Sequence, residues 1–365
     1  MTATYDVVVV GGGPAGAAQA LRLAAAGRSV ALLEHSRFDR LRVGETLAPE
    51  VQPLLHGLGV WDRFCALGPL PSWGVRSIWD ASEPAEHSHF GSSYGNGWHV
   101  DRRAFDQMLA QAAADAGVDV VLGVSPTECR YDGAVWQVSC SSGKRLVARL
   151  VVDATGRGAA LGRLLGARRI AFDRLVGITA HWPGMDVADQ HYLLMEAAAD
   201  GWWYTAPLPD DAMVGMFMTD ADLCRRNGLA RIDSWQDHLQ STTATAARIG
   251  GARLVAPPHV HSAASCRTVR RQDARPWIAV GDAALAVDPV SGSGVIRALR
   301  TAESAYATAD RVLDHPGQAA RSIWAYESQL DAECTEYLVK RASYYGAVRR
   351  YSSPFWTRRC NQAAA

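Results

Sequence analysis

The chain opens with short, unbroken apolar runs separated by helix-length stretches. Asp6 is followed by four valines, Val7 to Val10, a β-branched run that predicts a parallel strand buried on both faces. Pro14 to Ala26 is rich in alanine and leucine with no internal breaker, which predicts a helix stopped by Gly27. Ser29 to Leu33 is a second apolar run, closed by Glu34. A helix is predicted between Thr46 and Leu58, after Gly44 and Glu45. Another begins at 100–106, where Phe105, Leu109, Ala112 and Ala116 recur at helical spacing before Gly117. Val118 to Leu122 reads as a buried strand, the alternating stretch to Arg149 as a β-meander, and RLVVD as an apolar strand ending at Asp153. Trp277 to Val280 is a further apolar run, and Val295 to about Leu313 a further helix.

Two segments break this rhythm. Residues 68–99 are rich in Gly, Ser, Pro and aromatics and read as hairpins and loops. Residues 170–262 hold His181, Trp182, His191, Tyr192, Trp202, Trp203 and Tyr204 in alternating strands, with a helical stretch from Ala221 to Ile249. The expected organisation is therefore α/β: a discontinuous nucleotide-binding domain (1–67, 100–169 and 263–315), an antiparallel-sheet substrate domain (68–99 and 170–262) and C-terminal helices (316–365). The basic aromatic ending, YYGAVRRYSSPFWTRR, is expected to pack over a sheet.

The first strand and helix enclose Gly11, Gly13 and Gly16 in a GxGxxG pattern. The first glycine makes the tight turn, the second admits a pyrophosphate to the backbone, and the third lets helix and strand pack closely. The helix that opens with Pro14 carries free N–H groups from Ala15 onward and a positive dipole end, both of which suit a phosphate. Glu34 stands at the distance where an acid bonds an unphosphorylated ribose, which points to NAD or FAD and leaves the two unseparated. Arg37, Arg40 and Arg42 form a basic loop just after, either solvated surface or, at Arg42, a phosphate contact.

Lysine plus arginine equals aspartate plus glutamate, 37 each, so net charge implies no nucleic-acid partner. Seven scattered cysteines without a CxxC argue against a disulfide framework or zinc site and suit a reducing cytoplasm. His87, His89 and His99 stand at no metal-ligand spacing, and no metal is expected. The first strand leaves no room for a signal peptide, and no apolar run reaches transmembrane length.

Three ordered motifs, GGGPAG (Gly11 to Gly16), DATG (Asp153 to Gly156) and GDAA…DPVSGSG (Gly281 to Gly294), resemble those of flavoprotein monooxygenases of the para-hydroxybenzoate hydroxylase type. The resemblance spans most of the chain. It implies a Rossmann-like FAD-binding domain of the GR2-type flavoprotein fold, with the ADP portion of FAD on the first loop. It implies that Asp282 bonds the ribityl or pyrophosphate portion. It also implies that Pro289, Gly292, Ser293, Gly294 and Val295 face the pyrimidine edge of the flavin, and that Arg102, the family arginine at the helix start, is a cofactor-binding residue. GETLAP (Gly44 to Pro49), GWWYTAPLP (Gly201 to Pro209) and the ending Phe355 to Arg359 are similar to the narrower tryptophan-halogenase-like group, nearest the flavoproteins that mature lysine ε-oxidase and glycine oxidase by tryptophylquinone formation. Halogenases carry WxWxIP. Here Trp202 and Pro207 match, Tyr204 and Ala206 depart, and no lysine occurs in 41–100.

The resemblance implies an FAD-dependent monooxygenase that hydroxylates an electron-rich aromatic, an indole or tryptophan either free or in a partner protein, through a flavin C4a-hydroperoxide. NAD(P)H or a flavin reductase is the expected electron source. Glu45 is the candidate acid/base or substrate-binding group, and Trp202, Trp203 and Tyr204 are the candidate lining of an aromatic pocket. Three alternatives stay open: a reductase of the geranylgeranyl-reductase type, a flavin-dependent halogenase, and a non-catalytic flavin-bearing maturation chaperone.

Overall fold

The structure, a computed structural model, describes residues 2–81, 83–254, 256–271 and 273–360. Residues 361–365 of the expected C-terminal segment thus lie outside the described residues. The chain begins with β1 (Thr2–Val10), α1 (Pro14–Ala25) and β2 (Val30–Glu34), and continues after an insert with α2 (Arg102–Asp115) and β3 (Arg145–Asp153). β1 lies between β2 and β3 and runs parallel to both. Val7, Val8 and Val9 are wholly buried, as a strand covered on both faces requires. Asp119–Leu122 extends the sheet beyond β2, and Trp277–Ala279 runs parallel to the C-terminal end of β3. The N-terminal half of β3 pairs instead with the antiparallel meander Pro126–Tyr131 and Trp136–Cys140. This is the Rossmann-like layer.

The second large sheet is built on β4 (Leu175–Pro183), β5 (Tyr192–Ala198), β6 (Gly201–Leu208) and β7 (Ala212–Asp220). Its order is His259–Ser262, β4, β7, β6, β5, Gly74–Ile78, Ala85–Ser88. All these neighbours pair antiparallel except β5 with Gly74–Ile78, which is parallel. The hairpin Gly74–Ile78 and Ala85–Ser88 of 68–99 thus joins this sheet, whereas Gly97–His99 pairs antiparallel with Thr46–Leu47 on one side and with Leu70–Ser72 on the other. The chain ends in α3 (Gly294–Asp314), α4 (Ala319–Gly346) and α5 (Pro354–Cys360). No helix among the described residues is long and apolar enough to cross a membrane.

Two expectations are corrected. Thr46–Leu47 is a strand, tied to His99 and Trp98, and the helix starts only at Val51. Pro49 explains the delay, since the residue before a proline is pushed out of helical geometry. Asp119–Leu122 is a half-exposed edge strand, because the parallel sheet stops there.

Every residue of β6 is buried, because both faces of the second sheet are covered. Trp202, Tyr204 and Ala206 face Tyr345, Phe355 and Trp356 of α4 and α5. Trp203 faces the other way, onto Phe217 and onto Trp235 of the helical stretch. The basic aromatic tail therefore packs over the sheet: Trp356 Nε1 donates to Ala198 O at 3.0 Å. Arg359 pairs with Asp220 at 2.7 Å, each side chain 2% exposed.

Arg359→Ala is expected to cost about 3 kcal/mol, the scale of removing one partner from a buried ion pair. Arg358→Ala, whose side chain is 37% exposed, is expected to cost about 1 kcal/mol or less. Thermal or urea unfolding of the two variants measures the difference; equal losses would refute this account of the tail.

Candidate functional site

The turns at the C-terminal edge of the parallel sheet touch one another through glycine. Gly11 has φ +109°, and a Cβ there would sit 2.2 Å from Ala154 O. A Cβ on Gly16 would sit 1.9 Å from Gly11 O, and one on Gly281 would sit 2.7 Å from the Ala15 Cβ. The DATG and GDAA turns are thereby pressed against the first loop, and Arg157 links them by an ion pair to Asp282 at 3.3 Å. Gly13 differs: nothing lies within 4 Å of where its Cβ would stand. Helix α1 has no side-chain cap there, so the N–H groups of Ala15 and Gly16 at its first turn have no intrahelical acceptor. A glycine cradle in front of uncapped N–H groups, beside a buried acid, fits a dinucleotide.

That acid is Glu34, 2% exposed at the end of β2. Its Oε2 accepts from Gly12 N–H at 2.7 Å, and its Oε1 from the Ser36 hydroxyl at 2.5 Å. Burial works to raise its pKa, but the hydrogen bonds from Ser36 and Gly12 and the charge of Arg42 prevail and hold it below the usual range. Arg42 spends its donors on Glu34, Ser36 and Asp106, bracing β2 against α2. A phosphate would have to compete for those donors. Arg102 also pairs with Asp106, at 3.0 Å, and donates to the carbonyls of Val43 and Gly44. Asp106, not singled out in the sequence, thus holds both arginines; its spacing of four from Arg102 on one helix was the readable signal.

Arg102 steadies the segment that carries Glu45. Glu45 O accepts from Val100 N–H at 2.8 Å, and Thr46 Oγ1 meets His99 Nδ1 at 3.0 Å. Burial lowers the His99 pKa to about 3, so that ring stays neutral. The Glu45 side chain is 2% exposed. Its Oε2 accepts from the Tyr204 hydroxyl at 2.8 Å and from Gly44 N–H at 2.9 Å, while its Oε1 is buried and meets no hydrogen-bond partner among the described residues. Burial pushes this carboxyl up, and the Tyr204 bond offsets the push only in part.

The structure brings Trp202 and Tyr204 together, ring centroids 6.5 Å apart on one face of β6. It does not bring Trp203 to them. Alternation along a strand sends residue 203 to the opposite face, so its expected place in the same aromatic lining is corrected.

Val290 packs in the same apolar cluster as Trp202 and Tyr204. It belongs to the tight helical turn Pro289–Ser291, which leads through Gly292 (φ +61°) and Ser293 into α3. Helix α3 starts without a side-chain cap, and nothing lies within 4 Å of a Cβ on Gly292 or Gly294. Val295, the next residue, is buried at the foot of the helix. Asp288, read in the sequence only as a turn residue, is wholly buried, and its Oδ2 accepts from Tyr345 Oη at 2.8 Å.

The sequence pattern of the tryptophan halogenase family matches residues 6–67 and 76–365. A protein of Marinomonas mediterranea named as an FAD-dependent oxidoreductase, LodB, is 31% identical over 98% of this chain and 97% of its own length. Among solved structures, the flavin-dependent halogenase CmlS superposes with a TM-score of 0.85 at 25% identity, covering 98% of this chain and 67% of that one. The peptidyl tryptophan dihydroxylase QhpG, described as essential for tryptophylquinone cofactor biogenesis, superposes with a TM-score of 0.77 at 26% identity, covering 98% of this chain and 79% of that one.

The two glycines of the first loop separate binding from folding. Gly13→Val is expected to leave the thermal midpoint of the cofactor-free protein within a few degrees and to weaken FAD binding at least about a hundredfold, because the branched side chain fills the approach to the backbone. Gly16→Ala is expected to lower the midpoint itself. Differential scanning calorimetry and FAD titration read the pair. Unchanged FAD affinity in Gly13→Val would refute the assignment of this loop.

Proposed function

The chain belongs to the tryptophan halogenase family and is an FAD-dependent oxidoreductase, and from that premise we propose that it hydroxylates an electron-rich aromatic ring, the indole of a tryptophan held in a partner protein. In this reading Gly11, Gly13, Pro14, Ala15 and Gly16 hold the pyrophosphate of FAD and Glu34 the adenosine ribose. Asp282 serves the ribityl side, and Pro289, Gly292, Ser293, Gly294 and Val295 line the pyrimidine edge. Arg42 and Arg102 brace Glu34 and the Glu45 segment. NAD(P)H or a flavin reductase supplies electrons. Reduced FAD, when bound, supplies the oxygen activation that no side chain can provide.

The observation that carries the proposal is the buried pair of Glu45 and Tyr204, with one carboxylate oxygen left open. Hydroxylation at a ring carbon releases one ring proton. In this reading Glu45 Oε1 accepts it or receives the indole N–H, while Tyr204 keeps Oε2 occupied and the carboxyl oriented. On the same reading Trp202 and Tyr204, both buried on one face of β6, form the aromatic wall behind Glu45. Halogenation through captured hypohalous acid calls for an amine. The chain has two lysines, Lys144 and Lys340, and both are exposed. The relation to a peptidyl tryptophan dihydroxylase supports a protein-borne indole.

The product decides the chemistry. The protein is incubated with FAD, a flavin reductant, oxygen and bromide, with free tryptophan in one arm and a tryptophan-bearing partner protein in the other, and the products are weighed by mass spectrometry. Oxygen gain on the partner's tryptophan is expected. A brominated product, or substrate reduction that proceeds without oxygen, would overturn the reading; oxygen gain on free tryptophan alone would overturn the partner.

Glu45 also sets a pH dependence. Its pKa is raised by burial, so the folded chain holds its proton more tightly than the unfolded chain. Stability is then lost as pH rises from the unfolded glutamate value, about 4.3, through the raised folded value. Glu45→Gln is expected to raise the thermal midpoint at pH 7 relative to the parent, with the gain vanishing near pH 4. The same variant is expected to lose product formation by about a hundredfold, the scale of a missing general base. A lower midpoint at pH 7 would show that ionised Glu45 is net stabilising and defeat this assignment.

A further inference from the structure

The stripe Tyr337, Arg341 and Tyr345, spaced four residues apart on α4, lies against the segment that leads into α3. Tyr345 Oη donates to Asp288 Oδ2 at 2.8 Å, and Tyr337 Oη accepts from the Asp288 backbone N–H at 2.8 Å. The other carboxylate oxygen, Oδ1, accepts from Val290 N–H at 2.9 Å and closes the turn that aims the α3 N-terminus. Behind this grip, Tyr337 Oη meets Ser265 Oγ at 2.6 Å, and Arg341 donates to Ser265 Oγ at 3.2 Å and pairs with Asp173. Tyr345 Oη also accepts from Trp202 Nε1 at 3.0 Å, so one phenol joins β6 to the turn. Arg359 of α5 stands over the Tyr345 ring, 5.0 Å from its centroid, while its own partner is Asp220. Asp288 and Tyr345 are both wholly buried.

These contacts concern a residue pair that the proposed reaction does not itself use. We infer that Tyr345 and Tyr337 are positioning residues for the cofactor: the C-terminal helix grips Asp288 by its carboxylate and its backbone, and thereby fixes the loop 289–295 against which the flavin rests. The physical reason is that two donors and one acceptor act on one residue immediately before a proline. Such a turn loses its remaining freedom when residue 288 is held at both main chain and side chain. The start of α3, uncapped and open at Gly292 and Gly294, then points in one direction only. Its N–H dipoles have value for a developing negative charge only if they are preorganised. This inference rests on the reading of loop 289–295 as the flavin-facing loop.

The test uses the full chain carrying Tyr337→Phe and Tyr345→Phe together, with Phe355→Leu as the control. Phe355 packs against the Tyr345 ring at 5.9 Å between centroids, so the control loosens the tail while keeping the hydroxyl bonds. Three quantities are read below the melting temperature: amide hydrogen exchange of 290–295 in the cofactor-free protein, the FAD dissociation constant, and the absorption spectrum of bound FAD. The double variant is expected to exchange these amides at least about tenfold faster, to bind FAD about tenfold more weakly and to shift the flavin absorption band, whereas the control moves none of the three. Unchanged exchange would show that the tyrosines do not hold the loop, and would overturn the inference while leaving the loop's assignment intact. Faster exchange with unchanged FAD affinity and spectrum would overturn it through that assignment, since the loop would then not be the flavin's. Equal effects in the control would reduce the grip to ordinary packing.

Discussion

Backbone pressed on backbone at the C-terminal edge of the parallel sheet constrains the rest of this structure. Gly11, Gly16 and Gly281 leave no room for a Cβ, and what they touch is Ala154, Gly11 itself and Ala15. The turns after β1 and β3 and the start of α1 are therefore locked into one another. That lock requires the parallel register in which Val10 lies beside Asp153 and Leu33. Slippage of either neighbour would separate the turns and open the space in front of Gly13 into a shapeless gap. The open position at Gly13 is thus defined by the closed ones around it.

A second tie runs across the molecule. The Tyr204–Glu45 bond links residues 159 positions apart, from the second sheet to the segment that Arg102 holds. Its energetic character differs from that of the surface ion pairs. Exposed pairs such as Arg63–Asp115 contribute little, being solvated and screened. Glu45 has been taken out of water and only half repaid in hydrogen bonds, since Oε1 has none among the described residues. An unsatisfied buried oxygen carries a cost of about 1–3 kcal/mol. Other buried polar atoms, among them both amide atoms of Gln19 and Trp203 Nε1, also lack a partner among the described residues, so the role proposed for Glu45 rests on its pairing with Tyr204 as much as on its open oxygen.

Much of this architecture is legible in the order of residues, for reasons that can be named. The glycine turn and the helix from Pro14 are local features, each governed by a few neighbouring residues, and they fall where pattern and punctuation place them. Glu45 is readable because it sits in a short motif. What pattern does not disclose is which distant group each side chain meets. Asp106 receives Arg42 from 64 residues away, and Tyr345 reaches Asp288 from 57. Nothing near Tyr345 distinguishes it from Tyr344, which lies one residue away and is 37% exposed. The difference is helical phase relative to a partner sheet, and phase becomes meaningful only once the sheet is built.

The clearest case of such dependence is β6. Three successive aromatic residues read as one cluster, yet the strand distributes them: Trp202 to Tyr345, Trp203 to Phe217 and Trp235, Tyr204 to Glu45. A strand with one face in water would leave one of these directions unused. Because both faces are covered, β6 connects the C-terminal helix, the helical layer and the Glu45 segment at once. The same property protects its register. A shift of one residue would exchange the faces, turn Trp203 toward Glu45 and leave the carboxyl without its phenol donor. It would also strip Tyr345 of the Trp202 N–H. Each misplacement strands a buried polar group, so the penalties of a slipped register accumulate at the very residues on which the proposed chemistry depends.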